Sequence, residues 1–269
     1  MDREGLFAEG DVWESVKIHA NEAAARLNTY EEAHQLVKNA LKVAGGKHSF
    51  LSPVKSYSNS DSTSQILPAI SFLRDSILVI KLPSTINLSD NAQKQYINTV
   101  LDAFKTYSAA KGIIVDLQDN VGGDFFIMIA SLSPLLPDGR VLNFKGRRNV
   151  FIAPISLNRI LKSTGDIRRN RLVVGGKPVA LLVNGKTASA AEATILAFKG
   201  IDNVKVFGSP TAGYTSYNVT VPLSDGYHMA LTIGNYIART GDSYCNEAII
   251  PDVETINPYG ESMSWLAGY

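Results

Sequence analysis

Apolar residues recur along this chain with two different periods, and the changes of period mark its elements. From Asp11 to about Val43 the spacing is helical, with Ala23, Ala24 and Leu27 on one face of a first helix. Thr29 followed by Glu32 is a capping box that opens a second helix through Ala33, Leu36, Val37, Ala40 and Leu41. Gly45-Gly46 stops it, and Ser52 to Ser64, rich in Ser, Asn, Asp and Pro, predicts a solvent-facing loop.

Beyond that loop the runs become short and continuous. Ile77 to Leu82 reads as a buried strand, and Ser89 then caps a helix with Ile97, Val100, Leu101 and Phe104 on one face. Gly112 to Leu117 has the unbroken apolar character of a parallel strand covered on both faces, and it ends in Asp119-Asn120-Val121-Gly122-Gly123 before another helix. The unit recurs: strand Val179 to Val183, turn Asn184-Gly185-Lys186, helix Ala188 to Lys199, strand Val204 to Phe207. This order predicts an α/β fold in which two strand-to-helix turns face the same way. Further on, Asn218 to Pro222 and His228 to Tyr236 flank Ser224-Asp225-Gly226-Tyr227 as a β-hairpin. The division expected is a helical lobe with its loop over residues 1–75 and a core domain over 76–269.

Composition narrows the partners. With 26 basic against 25 acidic side chains the net charge is +1, and no basic stripe stands out. The five basic residues between Arg159 and Arg171 read as a solvated helix and loop, so no nucleic-acid partner is expected. Cys245 is the single cysteine, and His19, His34 and His228 have no metal-ligand spacing, so neither a disulfide nor a metal or other cofactor is expected. The start, Met1-Asp2-Arg3-Glu4, lacks the apolar stretch of a secretory signal, and no later segment approaches the roughly 18 apolar residues of a membrane span. The chain as given is expected to be soluble, whether whole or part of a longer anchored protein. Its oligomeric state stays open.

Candidate chemistry sits at the two turns, because ligand crevices in parallel sheets lie at the carboxyl ends of the strands, where helix N-termini present free N–H groups. In Thr187-Ala188-Ser189-Ala190-Ala191-Glu192 a serine stands in the first helical turn among small residues. Locally, Thr187 or Ser189 reads equally well as a helix cap. Gly122-Gly123 suits a backbone that must approach a reacting carbonyl closely, although glycine pairs end many strands. His48, alone after a glycine pair, could equally be a hydrogen-bonded surface residue.

Taken together the motifs resemble one family, the serine peptidases that include the C-terminal processing (tail-specific) proteases, the tricorn core and the nisin-resistance branch. Asp116 to Gly123 resembles its strand and Asn-x-Gly-Gly turn; Thr187 to Glu192 its nucleophile motif; Gly208 to Gly213 its Gly-x-x-Thr-x-Gly; Leu223 to Gly226 its Leu-Ser-Asp-Gly hairpin; and Ala248 to Asp252 its closing Gly-Ile-x-Pro-Asp. The order of five motifs over about residues 77–253, with His48 in addition, is more specific than any one. The resemblance implies a crotonase-like (ClpP/crotonase superfold) core with Ser189 as nucleophile and an oxyanion hole from the N–H groups of Ala190 and of Gly122 or Gly123. Tail-specific proteases carry a lysine base after Thr-x-Gly; Tyr214 stands there. The tricorn and nisin-resistance branch uses an upstream histidine, which His48 matches, with Glu247 at the position of a glutamate that orients it. Lys47 replaces a relaying serine in that branch, leaving Glu247 to pair with Lys47 or contact Ser49.

By this resemblance the partner is a peptide or protein substrate held as an extended strand, and the compartment is extracytoplasmic or cell-surface. About 28 residues separate His48 from Ile77, too few for the peptide-binding (PDZ-type) domain that tail-specific proteases insert there. Grip then falls to the lobe and core, as in the nisin-resistance branch, whose substrate is a lanthionine peptide tail. Two rival expectations are a catalytically silent peptide-binding protein on the same scaffold, and an acyl-CoA enzyme holding a thioester enolate between paired N–H groups.

Overall fold

The structure, a computed structural model, describes residues 1–53, 67–73, 76–149, 151–165 and 176–269. The loop expected over Ser52 to Ser64 begins in a strand, and from residue 54 onward it lies outside the described residues; so does the basic stretch beyond residue 165.

Helices α1 (Gly10–Ala24) and α2 (Tyr30–Gly45) form the N-terminal pair. The capping box is present: Thr29 Oγ1 accepts the Glu32 N–H at 3.3 Å, while the Glu32 carboxylate accepts the N–H groups of Asn28 and Thr29. Gly46, at φ 70°, ends α2. The pair is docked rather than free-standing, because Leu41 and Ala44 are buried in a cluster with Trp13, Leu51, Met229 and Leu231. The last three come from one sheet.

That sheet is antiparallel and contains β1 (Phe50–Pro53), β5 (Arg140–Gly146), β6 (Phe151–Ser156), β9 (Ser216–Pro222), β10 (Tyr227–Ile237) and β11 (Ser243–Tyr244). The long β10 is its spine, bonded to β1, β5, β9 and β11. The predicted hairpin is therefore real but belongs to a larger sheet. The second sheet has the order β12-β8-β7-β4-β3-β2, with β2 at Ala69–Phe72, β3 at Ile77–Lys81, β4 at Gly112–Asp116, β7 at Val179–Val183, β8 at Val204–Gly208 and β12 at Val253–Glu254. All neighbours are parallel except β2, an antiparallel edge strand contributed from before residue 76.

Both faces of this sheet are covered, which explains its continuous apolar runs. Ile113, Val115, Leu181 and Val183 enter the large core beneath α3 (Asp90–Thr106), α4 (Phe125–Ser131) and α6 (Ala190–Phe198). Their neighbours Ile114, Ala180 and Leu182 face the other way, against Phe207 and Leu266 of α7 (Pro258–Leu266). The short α5 (Leu157–Ser163) packs beside α4 and buries Leu157, Ile160 and Leu161. Each fully buried aliphatic side chain contributes roughly 1.5–3 kcal/mol. One boundary differs from the sequence reading: α6 starts at Ala190, not Ala188, because Ser189 has φ 55° and ψ −112°, which no helix contains.

Candidate active site

The carboxyl ends of β4 and β7 are stitched together before either leads into a helix. Thr187 Oγ1 donates to Leu117 O at 2.9 Å and accepts the Asn184 N–H, and the Ala188 N–H donates to Asn120 O at 2.9 Å. Asn184 and Asp119 exchange two bonds of 3.2 Å, so the two turns move as one piece. Ser189 projects from this piece in a positive-φ conformation that non-glycine residues adopt at a cost of about 1–3 kcal/mol.

What holds it there is Glu192, one turn into α6. Its carboxylate is fully buried and accepts the Ser189 N–H, the Gly213 N–H and the Tyr214 N–H, each at 2.8 Å, and the Thr211 hydroxyl. Burial raises the pKa of this carboxyl, and the four donors work against that rise. Glu192 thus ties the serine to the turn that follows β8. Its spacing from Ser189 is the only advance sign of this role.

His48 arrives from the opposite sheet, on a single 3-10 turn (Gly46–His48) between α2 and β1. Its Nε2 lies 3.0 Å from Ser189 Oγ, and its Nδ1 lies 2.9 Å from Ser216 Oγ. Ser216 in turn donates to Asn246 Oδ1 at 2.9 Å. Because the Ser216 proton is committed to Asn246, its oxygen must accept from Nδ1–H, which leaves the Nε2 lone pair facing Ser189. His48 is a buried residue, with 7% exposure, and the Asn218 amide donates to its backbone carbonyl at 2.7 Å. Burial pushes its pKa down to about 4; the Ser216 contact opposes this and the Lys47 charge adds to it.

The expected third member is not at the histidine. The Glu247 carboxylate accepts the Cys245 N–H at 3.4 Å, while its backbone exchanges bonds with the Thr215 hydroxyl. Neither Lys47 nor Ser49 is its partner: Lys47 donates to Ala212 O, and Ser49 donates to Thr232 Oγ1. The reason is local. Asn246 sits at φ 58°, a bend that aims its amide at Ser216 and turns the next side chain away. Ser216 and Asn246 are the residues sequence reasoning missed.

The expected oxyanion donors are placed unequally. A Cβ on Gly122 (φ 106°) would lie 2.8 Å from Ser189 Cβ and 3.1 Å from Ala190 N, so only glycine fits beside the serine. The Gly122 N–H, however, is taken by Asn120 Oδ1 at 2.9 Å. Among the described residues nothing accepts the N–H of Ala190, the first residue of α6, or that of Gly123. Also among the described residues, no group of three His, Cys, Asp or Glu side chains is placed to hold a metal ion, and no helix is long and apolar enough to cross a membrane.

Known proteins share this arrangement of chain. The sequence model of Peptidase family S41 matches residues 76–255. The nisin-resistance protein of Lactococcus lactis subsp. lactis is 34% identical over 269 residues, covering 99% of this chain and 83% of that protein. The carboxy-terminal-processing protease of Bartonella bacilliformis is 26% identical over 151 residues, 56% of this chain and 32% of the protease. Among solved structures, a lipoprotein from Streptococcus agalactiae superposes with a TM-score of 0.90 at 33% identity, over 99% of this chain and 92% of that one.

Proposed function

The chain belongs to peptidase family S41 and is a serine-type peptidase, and on that premise we propose that it is an endopeptidase in which Ser189 attacks the substrate carbonyl with His48 as general base. The observation that carries this reading is the 3.0 Å contact between Ser189 Oγ and a His48 Nε2 whose lone pair is free to accept. Nε2 takes the hydroxyl proton as Oγ bonds to the peptide carbon, then gives it to the leaving amine; water, deprotonated by the same nitrogen, hydrolyses the acyl-enzyme. The N–H groups of Ala190 and Gly123 serve as oxyanion donors, each worth about 3 kcal/mol in comparable sites. Gly122 leaves free the space beside Ser189 that a Cβ would fill.

The β-α core fits the crotonase-like scaffold, with residues 1–75 as the helical lobe and lead-in, and 76–269 as the peptidase core. No peptide-binding domain fits between His48 and Ile77, so the substrate lies as an extended strand on the core and lobe themselves. One relative is named for resistance to nisin, which makes nisin the first substrate to try. Mass spectrometry after incubation is expected to show a pair of nisin fragments with the wild type and intact nisin with Ser189→Ala; equal cleavage by both would remove Ser189 from the chemistry.

Ser216 and Asn246 complete the site as a neutral relay. With no carboxylate hydrogen-bonded to the ring among the described residues, and with Ser189, Ser216, Tyr214 and Lys47 as its neighbours, the imidazole stays unprotonated well below pH 6.5. The base is lost only as pH falls through about 4, so kcat/KM is expected to hold across mildly acidic pH. Asn246→Asp places a negative charge behind Ser216 and favours the imidazolium. It should move the acid limb of the kcat/KM profile upward by roughly one pH unit, and an unmoved limb would take Asn246 out of the relay.

A further inference from the structure

The turn that offers the Gly123 N–H is held from a neighbouring strand. From Asn120 to Asp124 every backbone N–H but one has an acceptor: Asn120 donates to Leu117 O, Val121 to Ser84 Oγ, Gly122 to Asn120 Oδ1 and Asp124 to Thr85 Oγ1. The exception among the described residues is Gly123, which is exposed. Ser84 and Thr85 belong to the loop between β3 and α3, and neither takes part in the proton transfers.

Thr85 grips this turn on both sides of the free donor. Its N–H donates to Gly122 O at 2.9 Å, while its hydroxyl accepts the Asp124 N–H at 2.7 Å and donates to Asp124 O at 3.0 Å. Gly122 O and the Gly123 N–H are the two ends of one peptide group. Because such a group is planar and trans, its N–H points away from its oxygen, so anchoring the oxygen aims the donor. Restraint is needed there, since glycines at φ 106° and 122° flank the peptide and set little steric barrier to its turning over. A turned-over peptide would meet the oxyanion with a carbonyl oxygen in place of a donor. Packing acts in the same sense: a Cβ on Gly123 would lie 2.5 Å from Thr85 C and 2.6 Å from Ile86 N, so the turn rests flush on this loop. Thr85 is 3% exposed, which keeps water from competing for its bonds.

We propose that Thr85 is a positioning residue for the oxyanion hole, fixing the peptide between Gly122 and Gly123 in the orientation that presents the Gly123 N–H to the substrate. The inference rests on the Ser189 and His48 reading above, with Gly123 as a donor. Ser189 then follows β7, the donor follows β4, and the brace that aims the donor follows β3. Thr85→Val keeps the shape of the side chain but leaves Asp124 without its partner, so the turn is gripped on one side only. Thr85→Ser keeps the hydroxyl and with it both grips.

The test is the rate at which diisopropyl fluorophosphate labels Ser189 in the wild type, Thr85→Val, Thr85→Ala and Thr85→Ser, each shown by circular dichroism to be folded at the working temperature. Thr85→Ala serves where the bulkier Thr85→Val does not fold. In this reaction Oγ bonds to phosphorus, fluoride leaves, the hydroxyl proton passes to Nε2, and the phosphoryl oxygen takes the place of the oxyanion. Labelling without the Thr85 hydroxyl is expected to be slower by about tenfold or more, a fraction of the roughly 100-fold or greater loss when a donor is deleted outright. Thr85→Ser is expected to label at close to the wild-type rate. In protein carrying isotopically labelled glycine, the Gly123 amide proton should move downfield when Ser189 is labelled in the wild type and Thr85→Ser, and stay in place in the hydroxyl-free variants. Wild-type labelling rates in those variants, an equal loss in Thr85→Ser, or a wild-type Gly123 signal that does not respond to the adduct overturns the inference. Absence of any label on wild-type Ser189 overturns instead the catalytic reading on which it rests.

Discussion

Replacing either Ser189 or His48 by alanine is expected to lower kcat/KM for a cleaved peptide by about 10⁴-fold or more, and the double variant is expected to be no slower than either single one. The two side chains share one proton across a 3.0 Å contact, so removing one leaves the other without its function. An alcohol with no base is a poor nucleophile at neutral pH, and a base with no alcohol can only activate water in the wrong place. Residual rate would come from the N–H groups of Ala190 and Gly123, the donors that the proposed mechanism assigns to the oxyanion. Steady-state kinetics on the three variants decide the matter. Multiplicative losses in the double variant would mean that His48 acts through the fold and not through Ser189.

Glu192→Gln is expected to destabilise the protein by roughly 3 kcal/mol, with a melting temperature lower by roughly 8 °C for a domain of this size. Shape is almost unchanged by the substitution; hydrogen-bond polarity is not. One oxygen accepts from Thr211 and Gly213 and the other from Ser189 and Tyr214, so whichever way the new amide is turned, its NH2 faces at least one buried backbone N–H. The Ser189 backbone, at φ 55°, then loses part of what holds it in a conformation non-glycine residues avoid. Denaturant titration read by circular dichroism measures the loss. A change below about 1 kcal/mol would show that the serine's conformation is set by the stitched turns alone.

How far these features could be read from the chain follows from how local their causes are. The strands Gly112–Asp116 and Val179–Val183 announce themselves because burial on both faces demands an unbroken apolar run, and Thr29 and Ser89 announce helices because a cap acts within three residues. Strands β5 and β6 were not legible. Asn143 interrupts the apolar run of β5, whose partner on the other side is β10, some 90 residues later. At the site, Ser189 and His48 stand out in the sequence because their surroundings match a family pattern, whereas Ser216 and Asn246, which the structure brings to the same histidine, have no local signature. Their meeting depends on β9 and on a bend at a single positive-φ residue. The same bend directs Asn246 to Ser216 and leaves the Glu247 carboxylate, one residue on, at the Cys245 N–H: proximity in sequence says nothing about which neighbouring side chain the turn directs inward.

The central claim, that Ser189 is a nucleophile activated by His48, is tested most directly by reacting the protein with a fluorophosphonate and locating the adduct by mass spectrometry. In that reaction Oγ bonds to phosphorus and fluoride leaves, while the hydroxyl proton passes to Nε2. The account predicts a phosphonyl group on Ser189 in the wild type, none in Ser189→Ala, and labelling slowed by about 100-fold or more in His48→Ala, in line with the usual worth of a general base. An adduct on another residue, or labelling of Ser189 that proceeds at the wild-type rate without His48, would contradict it.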